Sequence, residues 1–157
     1  MAETEHPPES PEDAGTPCTK GAAKEYAGEQ ITVVWDPTLC IHTGACLRAA
    51  PDVFDLKRRP WVRPDAADSE QVAAAIRKCP TSALRYRSPW AEPELPDGPT
   101  TVEVRTNGPL FVRGRMRVTT PRGDVVADLT RAALCRCGAS ANKPFCDNSH
   151  RRIEFHG

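Results

Sequence analysis

The sequence predicts an α+β protein of two small lobes, the first mixed α/β and the second β-rich with a ligand loop and a short helix. Three observations point there. A proline-rich break at residues 89–99 divides the chain. One amphipathic helix pattern, at 68–79, stands out among short alternating runs of β type. Three cysteines fall in the block between the N-terminal tail and the break, and three beyond it. At 157 residues the chain has room for two very small domains.

Composition explains why such lobes need help to fold. The chain holds 16 prolines and 10 glycines, against a combined background of about 12%, and only 6% of its residues are aromatic. Cores built from this are thin, and thin domains depend on metals or disulfides. Seven cysteines, an odd number, with an acidic proline-rich N-terminus instead of an export signal, favour metal or redox chemistry over a disulfide framework. Basic and acidic residues both number 21, so bulk charge points to neither nucleic acid nor a membrane surface. No apolar run approaches the ~20 residues of a membrane span. A cytoplasmic protein is expected.

Residues 1–25 carry six acidic and two basic residues with four prolines, and read as a mobile acidic tail holding Cys18 as a free thiol. The first domain runs over 26–88. Gln30–Trp35 is β-branched and alternating, and Asp36-Pro37 ends it. A short helical turn is expected from Thr43 to Ala50, stopped by Pro51. Asp68–Cys79 is the best helix: Asp68 caps it, Val72, Ala75, Ile76 and Cys79 share one face, and Pro80 stops it. Ala83–Tyr86 reads as a closing strand. Four prolines between 89 and 99 form an extended linker. In the second domain, 100–157, Thr101–Arg105, Leu110–Val112, Met116–Thr119 and Val125-Val126 read as strands. Asn107-Gly108 and Pro121–Asp124 are the turns between them.

After Leu134 the pattern dissolves into a loop with the spacing C-x-C-x8-C-x3-H, from Cys135, Cys137 and Cys146 to His150. Three thiolates and one imidazole suit zinc or an iron–sulfur cluster. Zinc modules usually separate paired cysteines by two to four residues. The single intervening residue here suits two ligands gripping one iron while Cys146 and His150 take another. A helix beginning near Phe145 would put Cys146 and His150 one turn apart and aim its N–H groups at an anionic cluster. Ser140, Ser149 and Asp147 read as hydrogen-bonding supports of the loop, and no catalytic constellation is evident.

The run Cys135, Cys137, Ser140, Pro144, Cys146-Asp147-Asn148-Ser149-His150 resembles the CDGSH-type (mitoNEET-like) iron–sulfur domain. Asn107–Gly114 is similar to that family's strand region. The resemblance implies a [2Fe-2S] cluster on Cys135, Cys137, Cys146 and His150. Asn148 stands where the family pattern has glycine, a position asparagine fills because it tolerates positive φ.

In the first domain, Cys40 and Cys46 with a remote Cys79-Pro80 match the outer positions of the ferredoxin pattern, and Thr43 occupies the place of the middle cysteine. Together with Phe54-Asp55 and Arg58-Arg59-Pro60-Trp61, this stretch resembles the divergent single-cluster ferredoxin family. Three cysteines hold a [3Fe-4S] cluster, or a [4Fe-4S] cluster whose fourth iron takes water, Thr43 or His42. Hydroxyl is a hard, poor ligand for such iron. His42, one position off the ligand slot, reads as a neighbour of the cluster.

The expected function is that of a small electron carrier and not an enzyme, with a redox partner protein or an apo-acceptor protein and no nucleic acid or membrane. The oligomeric state is left open. A cluster donor or redox/pH sensor is the alternative, and a zinc-stabilised binding module a third. From residue 100 onward ten basic residues face five acidic ones, a surface suited to solvent or to an acidic redox partner.

Overall fold

The computed structural model describes residues 23–96 and 98–157, so Cys18 and residues 1–22 of the expected tail lie outside the described residues. The first lobe is a three-stranded antiparallel sheet in the order β1-β2-β3: β1 (Lys24–Ala27), β2 (Thr32–Trp35) and β3 (Leu84–Arg87). β1 begins two residues inside the stretch read as tail. Lys24 and Glu25 join it because each has a partner: Lys24 lies 5.8 Å from the centre of the Trp35 ring, and Glu25 pairs with Arg87 at 2.8 Å.

Between β2 and β3 run α1 (Ala45–Ala49), a 3-10 turn at Pro64–Ala66, and α2 (Ser69–Ile76). Asp68 caps α2 by accepting the Gln71 N–H at 2.9 Å. Val72, Ala75 and Ile76 bury the expected face. The helix stops three residues earlier than its periodicity suggests. Its last turn tightens into i→i+3 bonds, Lys78 N–H to Ala75 O and Cys79 N–H to Ile76 O, before Pro80 ends it.

The second lobe is another antiparallel sheet, β4 (Thr101–Val104), β5 (Leu110–Thr119) and β6 (Val125–Leu134), in that order, followed by α3 (Ser149–Arg152). The two runs read as separate strands at 110–112 and 116–119 are one strand. Its register breaks between Arg113 and Met116, around Gly114 at φ +127°. A side chain at Gly114 would meet Thr100 Cα at 2.6 Å, so the bulge needs glycine. β6 extends well past the two valines that signalled it, because its inward residues, Ala127, Leu129, Ala132 and Ala133, are mostly small.

A single buried cluster runs from Ile31, Val33, Phe54 and Ile76 of the first lobe into Leu129 and Phe145 of the second. The segment between the lobes is docked and does not act as a free spacer. Ala91 is buried, and the Glu92 carbonyl accepts from Arg77 at 2.7 Å. Arg131, on β6, is 2% exposed and crosses the boundary. Its guanidinium pairs with Glu94 at 2.6 Å and donates to the carbonyls of Ile76 (2.8 Å), Leu84 (3.1 Å) and Cys79. Ser82, in left-handed conformation, exchanges two hydrogen bonds with the Arg131 backbone.

A buried charge held this way is costly to orphan. Arg131→Ala strands Glu94 and three carbonyls, and is expected to destabilise the intact protein by about 3–5 kcal/mol in urea unfolding. Glu94→Gln should cost less, since the carbonyls still hold the guanidinium. Near-zero loss for both would show that the lobes dock without this residue.

Candidate metal centres

In the first lobe, Cys40 follows a turn at the end of β2. The Asp36 carboxylate accepts from the Thr38 N–H (2.9 Å) and hydroxyl (2.6 Å), and the Cys40 N–H reaches the Pro37 carbonyl. Cys46 sits in α1, whose entry is turned by Gly44 at φ +68°. Cys79 sits just beyond α2, 9% exposed. The three sulfurs thus arrive from three elements, and all three residues line one cavity of about 500 Å³ together with Trp35, Trp61 and Pro80. Trp61 packs edge-on against Trp35, with ring centres 5.3 Å apart.

The chemistry of this cavity fits an iron–sulfur cluster. Burial and the nearby Cys79 push the Cys46 thiol up to about 11, and burial raises Cys40 as well. The protein alone therefore resists forming thiolates here, and a cationic iron core held by Cys40, Cys46 and Cys79 would supply the missing positive charge. The indole N–H of Trp61 is buried with no acceptor among the described residues, a donor that an anionic cluster would satisfy. His42 is exposed, its Nδ1 3.8 Å from Cys40 Sγ. The Thr43 hydroxyl lies 3.4 Å from the Ala45 N–H at the start of α1.

In the second lobe, Cys135 and Cys137 follow β6, with their sulfurs 3.9 Å apart. The Cys135 N–H bonds to Pro144 O at 2.8 Å, and the Cys146 N–H bonds to Ala133 O at 2.8 Å, so the loop folds back along β6. Cys146 Sγ lies 3.5 Å from Nδ1 of His150. The four donors therefore form two close pairs. Among the described residues, no three Cys, His, Asp or Glu side chains gather around one point for a single ion.

Cys146 and His150 do not share a helix, as the four-residue spacing suggested. Phe145 makes an isolated bridge to Leu134, and α3 begins only at Ser149. The reason is local: Asn148 takes the left-handed conformation at φ +69°, and Asp147 accepts the N–H groups of Ser149 and Ala141, each at 2.9 Å. The Ser149 side chain first, and then the N–H groups of Ala141 and Ser149, hold the Asp147 carboxyl down at about 2 against the opposing effect of burial. N–H donation to sulfur comes from the loop and not from a helix end. Ala139 N lies 3.5 Å from Cys137 Sγ, and Asn148 N lies 3.4 Å from Cys146 Sγ.

Burial raises the Cys146 thiol. Burial acts the same way on Cys135, but there the N–H groups of Ser140 and Gly138 win and the thiol is lowered. Burial, helped by the charge of Arg151, holds the His150 imidazole below its ordinary value, which keeps it in the neutral form a metal requires. Ser140 donates to Phe145 O at 2.6 Å and accepts from the Asn142 N–H, the supporting role its position suggested. All six described cysteines are free thiols.

Sequence reasoning missed the residues that join the two sites. The Asn142 amide donates to Thr38 O at 2.8 Å, and the Asn148 amide donates to Ile41 O at 2.9 Å. For Asn148 a signal existed, in its departure from glycine. For Asn142 and Arg131 none did, because their partners lie 104 and 55 residues away along the chain, respectively.

Comparison with known proteins finds a family model matching in each lobe. A family model described as "Divergent 4Fe-4S mono-cluster" matches residues 26–89, and one described as "Iron-binding zinc finger CDGSH type" matches residues 107–151. The chain is 42% identical over 67 residues to "Uncharacterized protein YjdI" of Escherichia coli K12 and to its namesake in Escherichia coli O157:H7, a match covering 43% of this chain and 88% of each relative. With its sulfur donors gathered in each lobe as described, the chain belongs to the divergent 4Fe-4S mono-cluster family, and a CDGSH-type iron-binding domain follows that domain.

Proposed function

We propose that the protein is a small two-centre electron carrier and not an enzyme. Its second lobe, in this reading, holds a [2Fe-2S] cluster on Cys135, Cys137, Cys146 and His150. Its first, ferredoxin-like lobe holds a cluster on Cys40, Cys46 and Cys79. The observation that carries the reading is the pairing of the C-terminal donors, 3.9 Å within one pair and 3.5 Å within the other. When bound, such clusters take up and release single electrons. The residues around them supply N–H donation to sulfur, exclusion of water and charge balance.

For the first lobe we favour a [4Fe-4S] cluster with one iron lacking a cysteine, and a [3Fe-4S] cluster is the form it takes if that iron is lost. His42 fits the role of hydrogen-bond donor to the Cys40 sulfur, since 3.8 Å from that sulfur is contact distance. Arg113, Arg115 and Arg117 lie along β5 and are all exposed, positive charge suited to an acidic redox partner. Among the described residues, no helix is long and apolar enough to cross a membrane.

Protein produced anaerobically is expected to be coloured and to contain iron and acid-labile sulfide in both lobes. Cys79→Ser should abolish only the first centre's electron paramagnetic resonance signal, and Cys137→Ser only the second's. A colourless protein holding zinc alone would overturn the reading.

His150→Cys should keep a cluster but lower its reduction potential, because a neutral imidazole is replaced by an anionic thiolate. The variant should also lose its cluster less readily in acid, since the protonatable ligand is gone. Unchanged acid lability would remove His150 from the ligand set. Mixed with an apo-ferredoxin, the holo-protein should be reduced and reoxidised without handing over its cluster; rapid transfer would make it a donor instead.

A further inference from the structure

We propose that Asn148 couples the two donor sets, so that an electron passes between the lobes of one chain across the contact of Ile41 with Asn148 and Cys146; this rests on the reading of both sites as iron–sulfur centres. Ile41 directly follows the first-lobe ligand Cys40. Its carbonyl accepts the Asn148 side-chain amide at 2.9 Å. The backbone N–H of that same Asn148 points at the second-lobe ligand Cys146, with nitrogen to sulfur 3.4 Å. In parallel, Ile41 itself is buried against Cys146 and Ala133, with Phe111 packed on the group. Cys40 and Cys146 are therefore joined through Ile41, Asn148 and two hydrogen bonds, with apolar contact beside them that excludes water.

The choice of asparagine supports a role beyond the turn. At φ +69° glycine would sit with less strain, and the resembling pattern has glycine there. Asparagine adds only the reach to Ile41. Its Oδ1 is buried with no donor among the described residues, so the amide is held for the one bond it makes and not for its own satisfaction. Docking of the loops does not explain the bond either, because Asn142 already ties the same two loops through Thr38 without touching a ligand.

The step is a one-electron exchange. The first-lobe centre loses one electron and is oxidised, and the second-lobe centre gains it and is reduced. No covalent bond forms or breaks, and no proton crosses. The direction follows from the ligands, since replacing a thiolate by histidine raises the potential of the second centre. A low-potential one-electron donor, such as a reduced flavin or another iron–sulfur protein, refills the first centre.

The test uses full-length holo-protein in which iron and sulfide analysis shows both centres loaded. A flash from a photoreduced flavin delivers one electron, and visible absorbance follows its redistribution between the centres. Wild type should equilibrate within the molecule, at a rate independent of protein concentration. Asn148→Gly keeps the turn and removes the bridge, and Asn148→Asp keeps the shape but cannot donate to the Ile41 carbonyl; both should slow the exchange severalfold. Doubly reduced wild type should show a magnetic interaction between the centres in its paramagnetic resonance spectrum, a readout that needs no variant to fold. Wild-type rates in both loaded variants, or two non-interacting spectra in wild type, would overturn the proposal. Absence of iron from either lobe would instead bring down the reading on which it rests.

Discussion

A buried guanidinium is what the arrangement of this chain turns on. Arg131 lies on β6 of the second lobe, yet its hydrogen bonds end on the end of α2, on β3 and on Glu94 of the intervening segment. One of its acceptors is the carbonyl of Cys79, so a residue of the second lobe holds a candidate ligand of the first. A charge buried this deeply is tolerated only where every donor finds an acceptor. That requirement forces the linker, the helix end and both sheets into one arrangement. Two lobes that composition suggested were independent share a single core.

The same economy governs the sites. Neither lobe has enough apolar mass to hold a ligand loop by packing alone, so polar side chains do the holding. Asp36 shapes the turn before Cys40, Asp147 ties down the loop around Cys146, and Ser140 links the two ends of the second loop. The donors are presented by loops and helix ends, positions that let the backbone N–H groups face sulfur. Around the first site the aromatic pair of Trp35 and Trp61 walls the cavity, which suits a centre whose potential depends on exclusion of water.

The two ligand loops also lean on each other. Thr38 and Ile41 lie on either side of Cys40, and each offers a carbonyl to an asparagine amide of the second loop. A linker alone would leave the separation of the sites free to vary. Two hydrogen bonds and a patch of buried aliphatic surface set it. The two-centre carrier proposed above would need such a fixed geometry for its centres to act together.

Much of this was legible from local pattern. The candidate donors could be read because soft side chains at fixed short spacings have few other uses. Helix α2 could be read because its cap, its apolar face and its terminating proline agree. Asn148 could be placed at positive φ because it stands where the resembling pattern has glycine, and asparagine tolerates that conformation. What local pattern could not convey was anything decided by partners far along the chain. The long β6 was hidden because small residues such as Ala127 and Ala132 carry little β signal until a facing core buries them. The helix expected to carry Cys146 gave way to a loop because Ala133 and Pro144 supply backbone partners that only the folded sheet brings near. Chemistry of the donors was thus a property of the sequence by itself, since it needs only residue type and spacing. Their placement relative to one another belonged to the tertiary structure, because buried polar groups such as Arg131 and Asn148 take their meaning from acceptors that chain order does not reveal.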